Sequence, residues 1–200
     1  MTSSQPTFQA IFGPQWDQLP PVMLQHYANH PYSNDVITAT GKLDVEFGWL
    51  IKLASPFLRL FGVLVPYQGH DIPVTVYFRS EPDSTAFCLD RHFHFTKTKP
   101  YIFYSKLVPI KDNIVIEFMK LGIGWKHQFC YEHNRVKLRH LAYVLKLFGI
   151  IIPIPINLIL GHGYAEEEAL STNTFRMKMN ITHPLFGKMY EYRGEFKVQE

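Results

Sequence analysis

From residue 72 onward the chain alternates apolar and polar residues, segment after segment. Period-two patterning at hairpin spacing restricts it to antiparallel sheet. Residues 72–79 set Val74, Val76 and Phe78 on one side and Thr75, Tyr77 and Arg79 on the other. After the turn EPDST, residues 86–95 place Phe87, Leu89, Arg91, Phe93 and Phe95 on one face, and Cys88, Asp90, His92 and His94 on the other. Residues 101–108, 113–119 and 124–133 continue the series, as do VKLRHLAYV, GYAEEEAL, TFRMKMNI and MYEYRGEFKV, divided by PIKDN, LGIG, EHNR, STN and HPLFGK. Residues 36–47 add an earlier strand with Leu43, Val45 and Phe47 on its apolar face. A sheet of roughly nine to eleven short strands closes or curls to hide its edges. The expected fold is mainly β (α+β). It is an antiparallel β-barrel or strongly curved half-barrel of the calycin or lipoprotein-carrier kind, with two N-terminal helical segments closing one end.

Residues 1–200 are expected to form a single domain: an N-terminal helical segment over 1–35, then the barrel over 36–200 with a helix at 49–65. In the first segment Phe8, Ile11 and Phe12 have helical spacing, and Pro14 and Pro20-Pro21 open new turns. In the helix, Trp49, Leu50, Leu53, Phe57, Leu60, Phe61 and Leu64 share a face, and Pro56 is expected to interrupt or kink it. That face packs on the core or serves as a lid or membrane contact. The tract KLFGIIIPIPINLILG, 146–161, is nearly all apolar. Its Pro-x-Pro removes two backbone donors, so the tract is expected to be extended and not a transmembrane helix. It is either an apolar crossing buried against the barrel or a greasy rim at a cavity mouth.

Aromatic residues make up 15% of the chain, which suits a large apolar interior or a lined cavity. The net charge of +3 is dispersed, without the basic run that nucleic-acid binding requires. Cys88 and Cys130 have no CxxC neighbour, and the N-terminus shows no secretory signal pattern, so reduced thiols and a cytoplasmic location are expected. GxGxxG, GxxxxGK[ST], GxSxG and HExxH are missing, so no cofactor is expected. Asp90, His92 and His94 share a strand face in metal-like spacing, but that face is the outward one, so no metal site is assigned.

Trp125, His127, Phe129, Tyr131 and His133 fall on one face of WKHQFCYEH, as a ligand-orienting or acid–base lining would, or as an aromatic core face. Arg91 interrupts an apolar face and needs a carboxylate. Of Glu166, Glu167 and Glu168, at least one points inward, and Glu167 is the expected partner of Arg91 or Arg193.

The order FQAIFGPQWDQLPPVMLQHY, GKLDVEFG, DIPVTVYFR, LDRHFHF, GIIIPIPINLILGHGYAEEE and HPLFGKMYEYRGEF resembles a bacterial domain-of-unknown-function family (number 4166), nearly end to end. Relatives are often fused to NAD-binding, saccharopine-dehydrogenase-like domains. The resemblance implies that Asp71, Arg91, Glu167, Tyr192, Arg193 and Gly194 occupy family positions, as does the tract around Pro153 and Pro155. Leu89 stands where relatives carry a tryptophan two before the arginine. The family supplies no established catalytic residues to transfer.

The leading expectation is binding of an apolar small molecule of lipid, polyketide or terpenoid type in a barrel cavity. The candidate ligand-binding residues are Arg91, Trp125, His127, Phe129, Tyr131, Glu167, Tyr192 and Arg193. One alternative is an enzyme on the same scaffold, a cyclase, isomerase or hydrolase using His or Glu as acid and base. Another is membrane-surface or protein-partner binding through 49–65 and 146–161. The partners expected are the apolar ligand, a peripheral membrane contact and an NAD-binding protein in trans, with no nucleic acid.

Overall fold

A computed structural model describes residues 5–96 and 99–199, without the side chains of Phe57, Arg59 and Phe61. Those side chains, placed by sequence on the helical face or beside it, lie outside the described residues.

The strands, in chain order, are β1 (Val36–Phe47), β2 (Gly69–Arg79), β3 (Phe87–Phe93), β4 (Tyr101–Lys111), β5 (Ile114–Phe118), β6 (Ile123–Glu132), β7 (Arg135–Leu147), β8 (Ile150–Ile154), β9 (His162–Ala169), β10 (Thr174–His183) and β11 (Gly187–Val198). The helices are α1 (Thr7–Phe12), α2 (Pro21–His26), α3 (Trp49–Phe61) and α4 (Asn157–Leu160). Neighbours in the sheet run β6-β5-β4-β3-β2-β1-β11-β10-β9-β7, and β7 pairs back onto β6. Every pairing is antiparallel, so ten strands close into a barrel and β8 is an eleventh outside the ring.

The closure has one irregularity. Arg135–Arg139 of β7 pair with Glu168–Tyr164 of β9, whereas Tyr143–Leu147 pair with Ile154–Ile150 of β8. Strand β7 therefore changes neighbours midway. Beyond that point the wall between β7 and β9 is covered by β8 and α4.

Alternation decides what faces in. Ile72, Val74, Val76 and Phe78 of β2 are buried, as are Phe87, Leu89, Arg91 and Phe93 of β3. The turns follow local chemistry. His133 and Asn134 both take positive φ, 53° and 59°, as a two-residue I′ hairpin requires. His133 thus belongs to the turn and not to the Trp125 face. Gly41 and Gly194 sit where β1 and β11 run so close that a Cβ at either would strike the partner strand's carbonyl oxygen.

Because the strands alternate in direction, the two ends of the barrel carry different connections. One end holds the turns β2–β3, β4–β5, β6–β7 and β9–β10. Helices α1 and α2 close it: Phe8, fully buried, lies 4.5 Å from the Tyr27 ring, 4.9 Å from Phe87 and 5.2 Å from Phe129. The other end holds α3, the β3–β4 and β5–β6 connections, the β7–β8 hairpin, the segment leading through α4, and the β10–β11 turn. We call it the rim. Helix α3 runs unbroken through Pro56, so the expected interruption does not occur. Among the described residues, no helix is long and apolar enough to cross a membrane.

Candidate functional site

The barrel encloses a cavity of about 510 Å³ with mostly apolar walls. That lies within the range of small-molecule sites, roughly 300–1,000 Å³. Of the residues singled out by sequence, Arg91, Trp125, Phe129, Glu167 and Tyr192 line it. His127 is fully buried in the wall between Trp125 and Phe129. Tyr131 stands near the plugged end, where Gln15 bonds its backbone. Arg193 lies outside the barrel, half exposed, against Asp44, Glu46 and Glu191. The outward face of β3 carries Asp90 paired with Arg79 and His92 against Tyr77. Among the described residues there is no metal-ligand cluster.

Arg91 does not pair with Glu167, as the sequence suggested, but with Glu117. Its Nη2 donates to Glu117 Oε1 at 2.6 Å, and the Ser105 hydroxyl donates to the same oxygen at 2.6 Å. Strand order is not legible from strand sequence: β4 separates β3 from β5, and inward side chains reach across it. Burial alone would raise the Glu117 carboxyl, but the Arg91 charge and the Ser105 bond hold it below the usual carboxylate range. Burial opposes the Arg91 charge, and Glu117 more than restores it. The guanidinium lies 4.9 Å above the Phe103 ring, and its Nη1 has no hydrogen-bond partner among the described residues.

Glu167 anchors a second cluster at the plugged end. The Tyr27 hydroxyl donates to Glu167 Oε2 at 2.6 Å, and His26 Nε2 lies 3.6 Å from that oxygen. Burial lowers the His26 pKa despite Glu167, so the ring is neutral. Burial raises Tyr27 far above the ordinary phenol range, with Glu167 adding to the effect. Glu167 has no Lys or Arg partner among the described residues.

Tyr192 stands between the two clusters in charge terms: burial raises its pKa to about 12, Arg91 pulls it down, and Glu117 and Glu167 push it up. His127 Nδ1 donates to the Trp125 carbonyl at 3.0 Å, and burial lowers its pKa to about 4. Among the described residues, three that line the cavity carry buried polar atoms without partners: His26 Nδ1, Arg91 Nη1 and Tyr143 Oη. Native interiors rarely leave such atoms unsatisfied.

Glu117, Tyr27, His26 and Tyr143 were missed in the sequence. Glu117 had a signal, being the one charge in the apolar strand IVIEF and on the same face as the buried Val115. The others had none, since only tertiary packing brings α2 and the middle of β7 to the cavity.

The tract 146–161 is not a buried crossing. Ile150, Ile151 and Ile152 are exposed, and Leu158 and Ile159 of α4 more so. Nor is it extended throughout, because α4 forms once the chain has passed Pro155. It is the rim. Ile159 lines the cavity while remaining 71% exposed, which places the mouth beside α4.

A family model described as "Domain of unknown function (DUF4166)" matches residues 19–196, which take in all eleven strands apart from the last two residues of β11. No curated protein matches the chain.

Proposed function

We propose that this chain, which belongs to the DUF4166 family, binds a neutral, oxygenated apolar molecule of terpenoid, polyketide or lipid type in the barrel cavity. The observation that carries the reading is an apolar chamber of about 510 Å³ whose wall includes a few polar groups: Arg91 with Glu117, Tyr27 with Glu167, and Tyr192. Tyr192 and the two hydrogen-bonded pairs are the polar groups that a ligand oxygen would meet. A ligand carrying a few oxygen functions matches such a wall better than a plain hydrocarbon. Charge argues for neutrality. Arg91 is cancelled by Glu117, and Glu167 has no cationic partner, so a ligand carboxylate would meet net negative charge.

Native mass spectrometry after gentle purification, followed by uptake of all-trans-retinol and palmitic acid offered separately, tests the reading. A neutral oxygenated mass, or uptake of the alcohol with exclusion of the acid, supports it. An empty protein that takes neither refutes cavity binding, and a preference for the acid refutes the neutrality argument.

The second reading, an acid–base enzyme on this scaffold, is favoured by Glu167 itself, a carboxylate facing the cavity with a phenol 2.6 Å away. In that case Glu167→Gln makes the co-purified mass shift to an unconverted precursor. An unchanged bound mass removes the reading.

A further inference from the structure

The rim gathers exposed apolar side chains that the cavity does not use. Helix α3 is apolar on two opposite faces: Ile51 and Leu58 are buried, while Trp49, Leu53 and Leu60 form an exposed stripe at helical spacing. Two tips at the same end hold bulky apolar residues in the left-handed backbone region. Phe148, φ 48°, is fully exposed at the β7–β8 hairpin, and Leu121, φ 58°, is exposed between β5 and β6. That conformation is costly for such residues.

A fixed support presents the next group. His183 Nδ1 accepts the backbone N–H groups of Leu185 and Phe186 at 3.1 and 3.3 Å, and its Nε2 donates to the Leu158 carbonyl at 3.1 Å. One buried imidazole thereby ties the β10–β11 turn to α4, and Leu158, Ile159, Leu185 and Phe186 all remain exposed. Exposed apolar side chains gathered in this way mark a contact surface.

Charge identifies the partner. Lys52 on α3, Lys99 before β4, Lys120 beside Leu121 and Lys146 near Phe148 are exposed at this end, and none pairs with a carboxylate among the described residues. The stem of Lys120 lies over Gly62, where α3 ends. Acidic residues at the rim lie beside cations: Glu46 meets Lys188 and Arg193, Asp44 meets Arg193, and the exposed Asp71 lies 3.9 Å from Lys42. Apolar insertion residues framed by lysines that lack carboxylate partners complement an anionic lipid surface.

We propose that the rim docks on an anionic bilayer, with the tips of α3, the β5–β6 connection, the β7–β8 hairpin and α4 entering the headgroup region. The mouth beside Ile159 is continuous with this face, so docking opens the cavity toward the acyl chains. The proposal goes beyond ligand binding and stands or falls separately from it.

Flotation of the full chain with phosphatidylcholine vesicles, with and without phosphatidylglycerol, tests it. Binding to the mixed vesicles, weakened by salt, is expected, together with a blue shift of Trp49 emission that Trp49→Phe abolishes. Phe148→Ser with Leu158→Ser, both at exposed positions, lowers the bound fraction at least about tenfold. Ile110→Ser, exposed at the plugged end, leaves it unchanged, and so does the cavity-filling Ala165→Trp, which separates docking from ligand binding. No flotation at low salt overturns the proposal, as does equal flotation of the Phe148/Leu158 variant. A stable dimer that Phe148→Ser dissociates, or a co-purifying protein lost with the same variant, reassigns the face to a protein partner and also overturns it.

Discussion

Replacing Arg91 by Met strands a carboxylate. In the native chain Glu117 Oε1 receives the guanidinium and the Ser105 hydroxyl, each at 2.6 Å, inside an apolar wall. Met keeps most of the side-chain volume but leaves Ser105 as the one donor to Glu117 among the described residues. Breaking a buried pair by removing one partner costs about 3–5 kcal/mol. For a chain of this length each kcal/mol lowers Tm by about 2–4 °C, so a drop of about 6–20 °C is expected. Removing both charges in Arg91→Met/Glu117→Gln leaves no stranded ion, so the double variant is expected to be more stable than Arg91→Met alone. Urea unfolding of the wild type, both single variants and the double variant at neutral pH completes the cycle. A loss under about 1 kcal/mol for Arg91→Met, or strictly additive losses, would refute the claim that the pair is a desolvated unit.

Tyr27→Phe removes the hydroxyl that donates to Glu167 at 2.6 Å and is expected to cost about 1.5–3 kcal/mol in urea unfolding, the range for a bond to a charged group; no change contradicts that bond. His127, ordinarily near 6.5, titrates at about 4 because it is buried. The folded state therefore binds fewer protons than the unfolded one, and stability is full above 6.5 and lost as pH falls toward 4. The loss is about 3 kcal/mol from this group. His26, lowered by its burial, acts in the same direction. His127→Phe flattens part of that limb in thermal melts across the range, and a wild-type Tm that stays constant there contradicts the assignment. Gly194→Ala places a Cβ against the Lys42 carbonyl oxygen and is expected to destabilise by more than about 2 kcal/mol; tolerance of Ala in a melt contradicts the close approach of β1 and β11.

Much of the fold is legible because period-two segments state which face is buried, and β1 falls where its pattern places it, at Val36–Phe47. The inward positions of Arg91, Trp125 and Phe129 follow from the same alternation, whereas Tyr192 was singled out only by the family resemblance. Pairing across the barrel does not, because it depends on strand order. Thus Arg91 is matched by Glu117 and not by Glu167. Arg193 shows another limit: it neighbours the inward Tyr192, and alternation sends it outside. For 146–161 the prolines exclude a plain spanning helix, but composition reads the same for a buried tract as for an exposed one. Only the change of partner along β7, from β9 to β8, shows that the hairpin leaves the wall.

Trp125 stands in the wall of the apolar chamber and reports on whether it is accessible. Excited tryptophan should transfer energy to bound all-trans-retinol. Saturable transfer at one molecule per chain is expected, abolished by Ala165→Trp, which projects an indole into the chamber. Absence of saturable transfer, or equal transfer in the folded Ala165→Trp protein, would contradict it.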